Sequence, residues 1–352
     1  MKLRTADQLR ELVTATLLAA GASDANARVV AHSVVDSNLA GHDSHGVVRI
    51  PSLVRDALSG KLKPAVSPRV TQENLSTAVV DGGSTFGHVG SRLATEIAIR
   101  KAQETSIAGV ALTRANHTGR IGEWAEMGAA EGMVTLVLGS RANSSRGTAG
   151  GTLAPYGGRS GAMGTSPIAW SVPRRSGQTP ILLDYATSAV AQGKLQIARL
   201  KGESVPLGWI IDSQGRPTTD VEAFFGGGAQ LPFGGHKGYA LALIVSLLSI
   251  GLSAGDKLDP SEHASCLFVV CVDPAAFRPA EEFLDFVEQT AARIKAVPPA
   301  KGFDEVLLPG EPEARSRIAR MRDGIPLPDE IWTELAQLAE GLGVPGGTDL
   351  DG

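Results

Sequence analysis

Gly341-Leu342-Gly343-Val344-Pro345-Gly346 has the G-x-G-x-x-G spacing of a dinucleotide-binding turn, and its reading decides the fold. Such a turn must leave a strand and open a helix, because the pyrophosphate sits on the helix N-terminus. Here the spacing follows a helix expected over 329–342, opens no other helix, and stands at the end of the chain. It is a chance match, and no P-loop occurs elsewhere. A nucleotide, if bound, is therefore not held by a standard Rossmann turn.

Outward from that end, 311–322 is a second returning helix. At the other end Thr5 and Gln8 have capping-box spacing. Leu9, Leu12, Val13 and Leu17 recur at helical period, and a second helix runs from Ser23 or Asp24 to about Leu39. Pro51 begins a helix over 50–58, since proline is tolerated there and not deeper. Between the ends, strands are expected at 69–72, 77–81, 109–113, 133–138, 167–172, 181–184 and 266–272. Helices are expected at 88–105, 121–131, 189–201, 239–250 and 280–297, the helix at 239–250 so apolar that it reads as core. This is a mixed α/β (α+β) chain. We expect a helical unit, 1–75 with 300–345, whose N- and C-terminal regions pack together. A central sheet domain spans 76–299, and 346–352 is a flexible tail.

Composition narrows the function. The chain has 352 residues, 43% hydrophobic and 20% charged, with net charge −4 and no long basic run. That argues against a nucleic-acid or membrane-surface binder. Aromatic residues at 5% provide few stacking platforms for single strands. Cys266 and Cys271 cannot build a disulfide framework and read as small strand residues, so a reducing, cytoplasmic location is expected. No signal peptide is evident at the N-terminus, and no apolar run reaches membrane-spanning length.

The 42 glycines cluster where backbone must turn tightly or approach something closely. Between the clusters stand the chemical groups. Ala40-Gly41-His42-Asp43-Ser44-His45-Gly46-Val47-Val48-Arg49 puts a hydroxyl, an imidazole and a guanidinium within six residues, Ser44 to Arg49. Imidazole exchanges protons near neutral pH, and guanidinium grips a carboxylate bidentately. Asn116-His117-Thr118-Gly119 follows a strand and precedes a helix, where α/β proteins place ligands, and supplies a second acid/base candidate. Asp184 ends a strand, where it either caps a helix or orients an imidazole. Gly234-Gly235-His236-Lys237-Gly238 opens the apolar helix with free backbone N–H groups suited to phosphate. A hydrolase triad of Ser44, His45 and Asp184 lacks a G-x-S-x-G elbow. His42 and His45 are set against a metal role by ordinary solvent-facing placement, so no metal is expected.

Taken in order, S-H-G-x-x-R (Ser44 to Arg49), H-x-G (His117 to Gly119), APYGG…GTSPIAW, D-Y-A-T-S with Gly193-Lys194, LPFGGHKGY and LPGEPEAR (Leu308 to Arg315) resemble the malate/L-lactate dehydrogenase family, type-2. The resemblance covers about residues 5 to 344. It implies an oxidoreductase of non-Rossmann fold using NAD or NADP, bound on a central, mostly antiparallel sheet, and typically a homodimer. It implies hydride transfer between nicotinamide and C2 of a small 2-hydroxy or 2-keto acid. The alternative is reduction of a cyclic imine 2-carboxylate of the piperideine or pyrroline type. By position, His45 is the implied proton donor/acceptor with Ser44 and Asp184 as its relay, and His117 is the rival for that role. Arg49, with Thr118 and Gly119, is implied at the substrate carboxylate. Ser166, Asp184, Tyr185, Ala186, Lys194, His236, Lys237, Gly238, Gly310 and Glu311 are implied around the cofactor. Against that resemblance, Ser166 stands where the family more often has Asn, and the stretch 144–152 is longer than usual.

Overall fold

The computed structural model describes residues 2–142, 152–259 and 265–345. The tail at 346–352 and most of the lengthened stretch, 144–151, lie outside the described residues. The chain opens with strand β1 (Lys2–Arg4) and helices α1 (Ala6–Ala19), α2 (Asp24–Leu39) and α3 (Ile50–Leu58). The capping box is present: Thr5 Oγ1 accepts from the Gln8 N–H, and Gln8 Oε1 accepts from the Thr5 N–H. The sheet region follows with β2 (Arg69–Glu73), β3 (Thr77–Asp81), α4 (Gly87–Thr105), β4 (Ile107–Ala115), α5 (Ile121–Ala130), β5 (Val134–Arg141), β6 (Ile168–Val172) and β7 (Ile181–Tyr185). A small lobe holds α6 (Gln192–Lys201), β8 (Ile210–Ile211), β9 (Pro217–Thr218), α7 (Val221–Phe225) and β10 (Ala229–Gln230). Then come α8 (His236–Leu252), β11 (Ser265–Val272), α9 (Ala280–Lys295), α10 (Glu311–Asp323), β12 (Ile325–Leu327) and α11 (Asp329–Gly341).

The central sheet has the order β2-β3-β4-β11-β5-β6-β7. Among the described strands only β3 and β4 run parallel, joined by α4, and every other neighbouring pair is antiparallel. This is the mostly antiparallel, non-Rossmann sheet expected. The glycine run at 341–345 ends α11, and Leu342 and Val344 pack on the core that joins the chain ends.

Period-two alternation puts opposite residues of one strand into two cores. Leu267, Val269 and Cys271 of β11 pack under α4 and α5, while Phe268 faces α8 with Leu241 and Val245. A third core joins the chain ends: Leu9, Val13 and Val34 pack with Trp332 and Leu335, and β1 pairs with β12.

Two sequence expectations need correction. The helix expected over 189–201 starts at Gln192, because Ala189 N–H is drawn to Leu231 O at 2.8 Å and Ser188 bridges to Pro232. The apolar helix at 239–250 is not wholly core. α8 buries Val245 and Ala242, yet Ile244 is 52% and Leu247 59% exposed. No helix among the described residues is long and apolar enough to cross a membrane.

Candidate active site

The site forms where the α2–α3 connection meets the turn after β4. Ser37 O caps His42 N–H, and two short helical turns, Asp43–His45 and Val47–Arg49, follow. Gly46 is required between them, since a Cβ there would meet the Asn38 side chain at 2.2 Å. That Asn38 carboxamide accepts from Val47 N–H at 2.9 Å and fixes the turn. On the other side Gly87, first residue of α4, lets the helix press on the 116–117 backbone. A Cβ would lie 2.4 Å from His117 O.

This brings three imidazoles into a row. The His45 and His117 ring centroids are 5.5 Å apart, and His117 and His88 are 6.0 Å apart. His45 Nδ1 faces Ser44 Oγ at 3.0 Å. Burial, then the nearby Arg49 charge, pushes the His45 ring down to about 3. His117 Nδ1 accepts from Gly119 N–H at 3.1 Å, with burial and Arg49 again holding the ring well below the usual histidine range. Gly119 reaches this position at φ +73, a left-handed conformation that suits glycine.

Arg49 donates through Nε to Ser44 O at 2.6 Å and has no carboxylate partner among the described residues. Its guanidinium is held below its ordinary range by burial and by the neighbouring Arg141. A desolvated, unpaired guanidinium is a seat for an anion. The carbonyl of Thr118 accepts from Trp124 Nε1 at 2.8 Å, which anchors the turn.

Asp184 does not take the relay position expected from the sequence. Its Oδ2 accepts from Gly122 N–H, in the first turn of α5, at 2.8 Å. The hydrogen-bond partner of the His45 ring is Ser44 instead. Asp184 is thus a helix cap across 62 residues of sequence, held above its usual range by burial against the opposing charge of Arg120. Gly122 is required beneath it, as a Cβ would meet Oδ2 at 2.5 Å.

The residues expected around a cofactor fall in three places. Tyr185 and Ala186 continue from β7, and the Pro309–Gly310 turn packs on that strand, with Leu182 N–H donating to Pro309 O at 3.0 Å. Gly310, at φ +95, leaves no room for a side chain. The Glu311 carboxylate is already engaged, by Lys295 Nζ at 2.8 Å and Leu308 N–H at 2.9 Å. Gly235, at φ +63, caps α8, and exposed His236 and Lys237 with buried Gly238 form its first turn. Exposed Lys194 lies in the first turn of α6, beside Gly193, whose Cβ position is 3.8 Å from Ser44 Cβ. Ser166 is buried at φ +37, and its hydroxyl lies 2.9 Å from Ser246 Oγ. Asn tolerates such a positive φ more readily than Ser.

Sequence reasoning missed His88, Ser33 and Glu123. Ser33 Oγ donates to Glu123 Oε2 behind the histidine row. The available signal was a pair of carboxylates three residues apart, Glu123 and Glu126, in the otherwise apolar α5.

A row of imidazoles beside an unpaired guanidinium, on a mixed sheet without a Rossmann turn, has the groups that acid–base chemistry on a small acid needs. Comparison with known proteins specifies it. The malate/L-lactate dehydrogenase family model matches residues 5–336. A malate dehydrogenase from Pyrococcus horikoshii is 36% identical, over 97% of this chain and 95% of its own. The sulfolactate dehydrogenase structure from Methanocaldococcus jannaschii superposes with TM-score 0.88 at 30% identity, covering 97% of this chain and 98% of its own. The Δ1-piperideine-2-carboxylate reductase from Pseudomonas syringae gives TM-score 0.82 at 30% identity, covering 96% and 100%. The chain belongs to the malate/L-lactate dehydrogenase family. It is an oxidoreductase acting on CH–OH.

Proposed function

We propose that this enzyme interconverts small 2-hydroxy and 2-keto acids with NAD or NADP. The observation that carries the reading is the unpaired Arg49 guanidinium beside the facing His45 and His117 rings. One group would hold the substrate carboxylate while the others handle the oxygen on C2.

The hydrogen bonds divide the labour between the two rings. His117 Nδ1 accepts from a backbone N–H, so its lone pair is committed and the neutral ring carries its proton on Nε2. Protonating Nδ1 would set two N–H groups against each other. His117 is therefore a fixed hydrogen-bond donor that polarises the substrate oxygen. His45 differs, because the Ser44 hydroxyl can turn to donate or accept at Nδ1. Both protonation states of His45 keep a partner, so its Nε2 takes the proton from the hydroxyl on oxidation and returns it on reduction. Burial is the main cause that holds His45 down; a carboxylate bound on Arg49 would remove the second, the Arg49 charge, and so raise the ring.

The residues at 184–186, 194, 235–238 and 310 suit a dinucleotide. They offer glycine backbone at positive φ, a helix N-terminus and exposed Lys194 and Lys237. When bound, the nicotinamide supplies the hydride acceptor or donor. Asp184 shapes this region through α5 rather than through His45. The exposed apolar face of α8 favours a homodimer that covers it.

The test is a panel of 2-hydroxy acids with NAD and NADP, and of 2-keto acids and cyclic imine 2-carboxylates with the reduced cofactors. The proposal expects turnover of at least one hydroxy/keto acid pair. Turnover of cyclic imines alone would replace it with the imine reading, which the piperideine-2-carboxylate reductase likeness favours and the same groups could serve.

A further inference from the structure

Behind His117 lies a layer of polar side chains that the proton transfer does not use. His88, in the first turn of α4, is 0% exposed, and neither ring nitrogen has a hydrogen-bond partner among the described residues. A neutral imidazole carries one donor and one acceptor, and burying both unpartnered is costly where Phe or Leu would fill the space freely. Next to it Ser33, also 0% exposed, donates to the buried Glu123 carboxyl. The two groups converge on one point. His88 Nε2 lies 3.1 Å and Ser33 Oγ 3.2 Å from where a Cβ of Gly119 would stand. Gly119 is the residue whose N–H sets the His117 tautomer.

We propose that His88 is a positioning residue for the redox reaction, forming with Ser33 and Glu123 a buried polar floor, bridged by internal water, that holds the 117–119 turn. The floor keeps the Gly119 N–H on His117 Nδ1 and so keeps the His117 proton on Nε2. This rests on the role given to His117 above. A water with two to four polar partners is the usual resident of such a site.

The floor is uncharged at neutral pH. Burial, aided by Arg49, holds His88 down to about 4. Burial raises Glu123 to about 8, with Asp36 of α2 and Glu126 of α5 pushing the same way and the Ser33 bond and Arg120 opposing. From α4 the group facing this space is neutral His88, and from the connecting turn it is neutral His117. Above about pH 8 Glu123 becomes an anion on Ser33, beneath the 117–119 turn.

The experiment uses the full chain with His88→Phe, His88→Asn and Glu123→Gln. It reads kcat, KM, the pH profile and the 15N shifts of the His117 ring. His88→Phe is expected to lower kcat roughly tenfold or more, as small misplacements of reacting groups do, and to mix the two His117 tautomers. His88→Asn should restore part of both. The wild type is expected to lose kcat/KM above about pH 8, as ionised Glu123 disturbs the floor, and Glu123→Gln is expected not to. Wild-type kcat and an unchanged tautomer in His88→Phe would overturn the proposal, as would an alkaline limb identical in Glu123→Gln. If His88→Phe fails to fold, the Glu123→Gln profile decides alone. If the wild type turns over no hydroxy acid, the proposed function fails, while the tautomer shifts still test the floor.

Discussion

At the residue scale, the two histidines differ by one hydrogen bond each, and that difference assigns their roles. Ser44 leaves His45 free to change charge, whereas the Gly119 N–H denies His117 that freedom. Arg49 complements them by holding a carboxylate. Lysine keeps the charge but loses the planar fork. Arg49→Lys should therefore raise KM for the acid by roughly tenfold with a smaller change in kcat, since a bidentate pair is worth more than a point charge. Initial rates against substrate concentration measure this. These four residues were legible in the sequence because Ser44, His45 and Arg49 lie within one short segment and His117 in a polar loop after a strand. Asp184 was legible as a cap or an imidazole partner but not which. Its partner, Gly122, is 62 residues away, and only the packing of α5 on β7 selects it.

At the scale of elements, most helices and strands follow from local pattern: the capping box of α1, the proline opening α3, the alternation in β11. Their misreadings have tertiary causes. The start of the helix at 189–201 yields three residues to pairing with 231–232. In α8 apolar residues surround the helix, so periodicity could not say which face meets the sheet. The face with Ile244 and Leu247 is the exposed one. If a second copy covers it, Ile244→Glu with Leu247→Glu should convert a dimer to a folded monomer in light scattering. A wild-type protein that is already monomeric would remove that role from α8.

For the whole molecule, charge networks and buried histidines link the chain ends to the site. Arg317 of α10 pairs with Asp36 of α2 at 2.8 Å and Glu126 of α5 at 2.8 Å, and buried Arg120 joins the same carboxylates. Removing Arg317 leaves half-buried carboxylates less well paired. Arg317→Ala should cost about 2 kcal/mol in denaturant unfolding. Proton binding sets the pH dependence of stability. His45 and His88 titrate at about 3 and about 4 rather than 6.5, so below pH 6.5 the unfolded chain takes up more protons and stability falls with pH. Glu123 acts oppositely: from its ordinary 4.5 up to about 8 the folded chain keeps a proton that the unfolded chain has lost, so stability falls as pH rises. Thermal melts should show a shallower acid loss in His88→Phe, and in Glu123→Gln a shallower loss as pH rises from 4.5 to about 8.

The most direct measurement compares His45→Gln with His117→Gln in formation of the reduced cofactor from a 2-hydroxy acid that the wild type oxidises. Glutamine can donate a hydrogen bond but cannot exchange a proton. We predict that His45→Gln loses roughly 100-fold or more in kcat, the scale of a lost general base, while His117→Gln retains markedly more activity. Equal or reversed losses in the two folded variants would contradict the account and give the proton to His117.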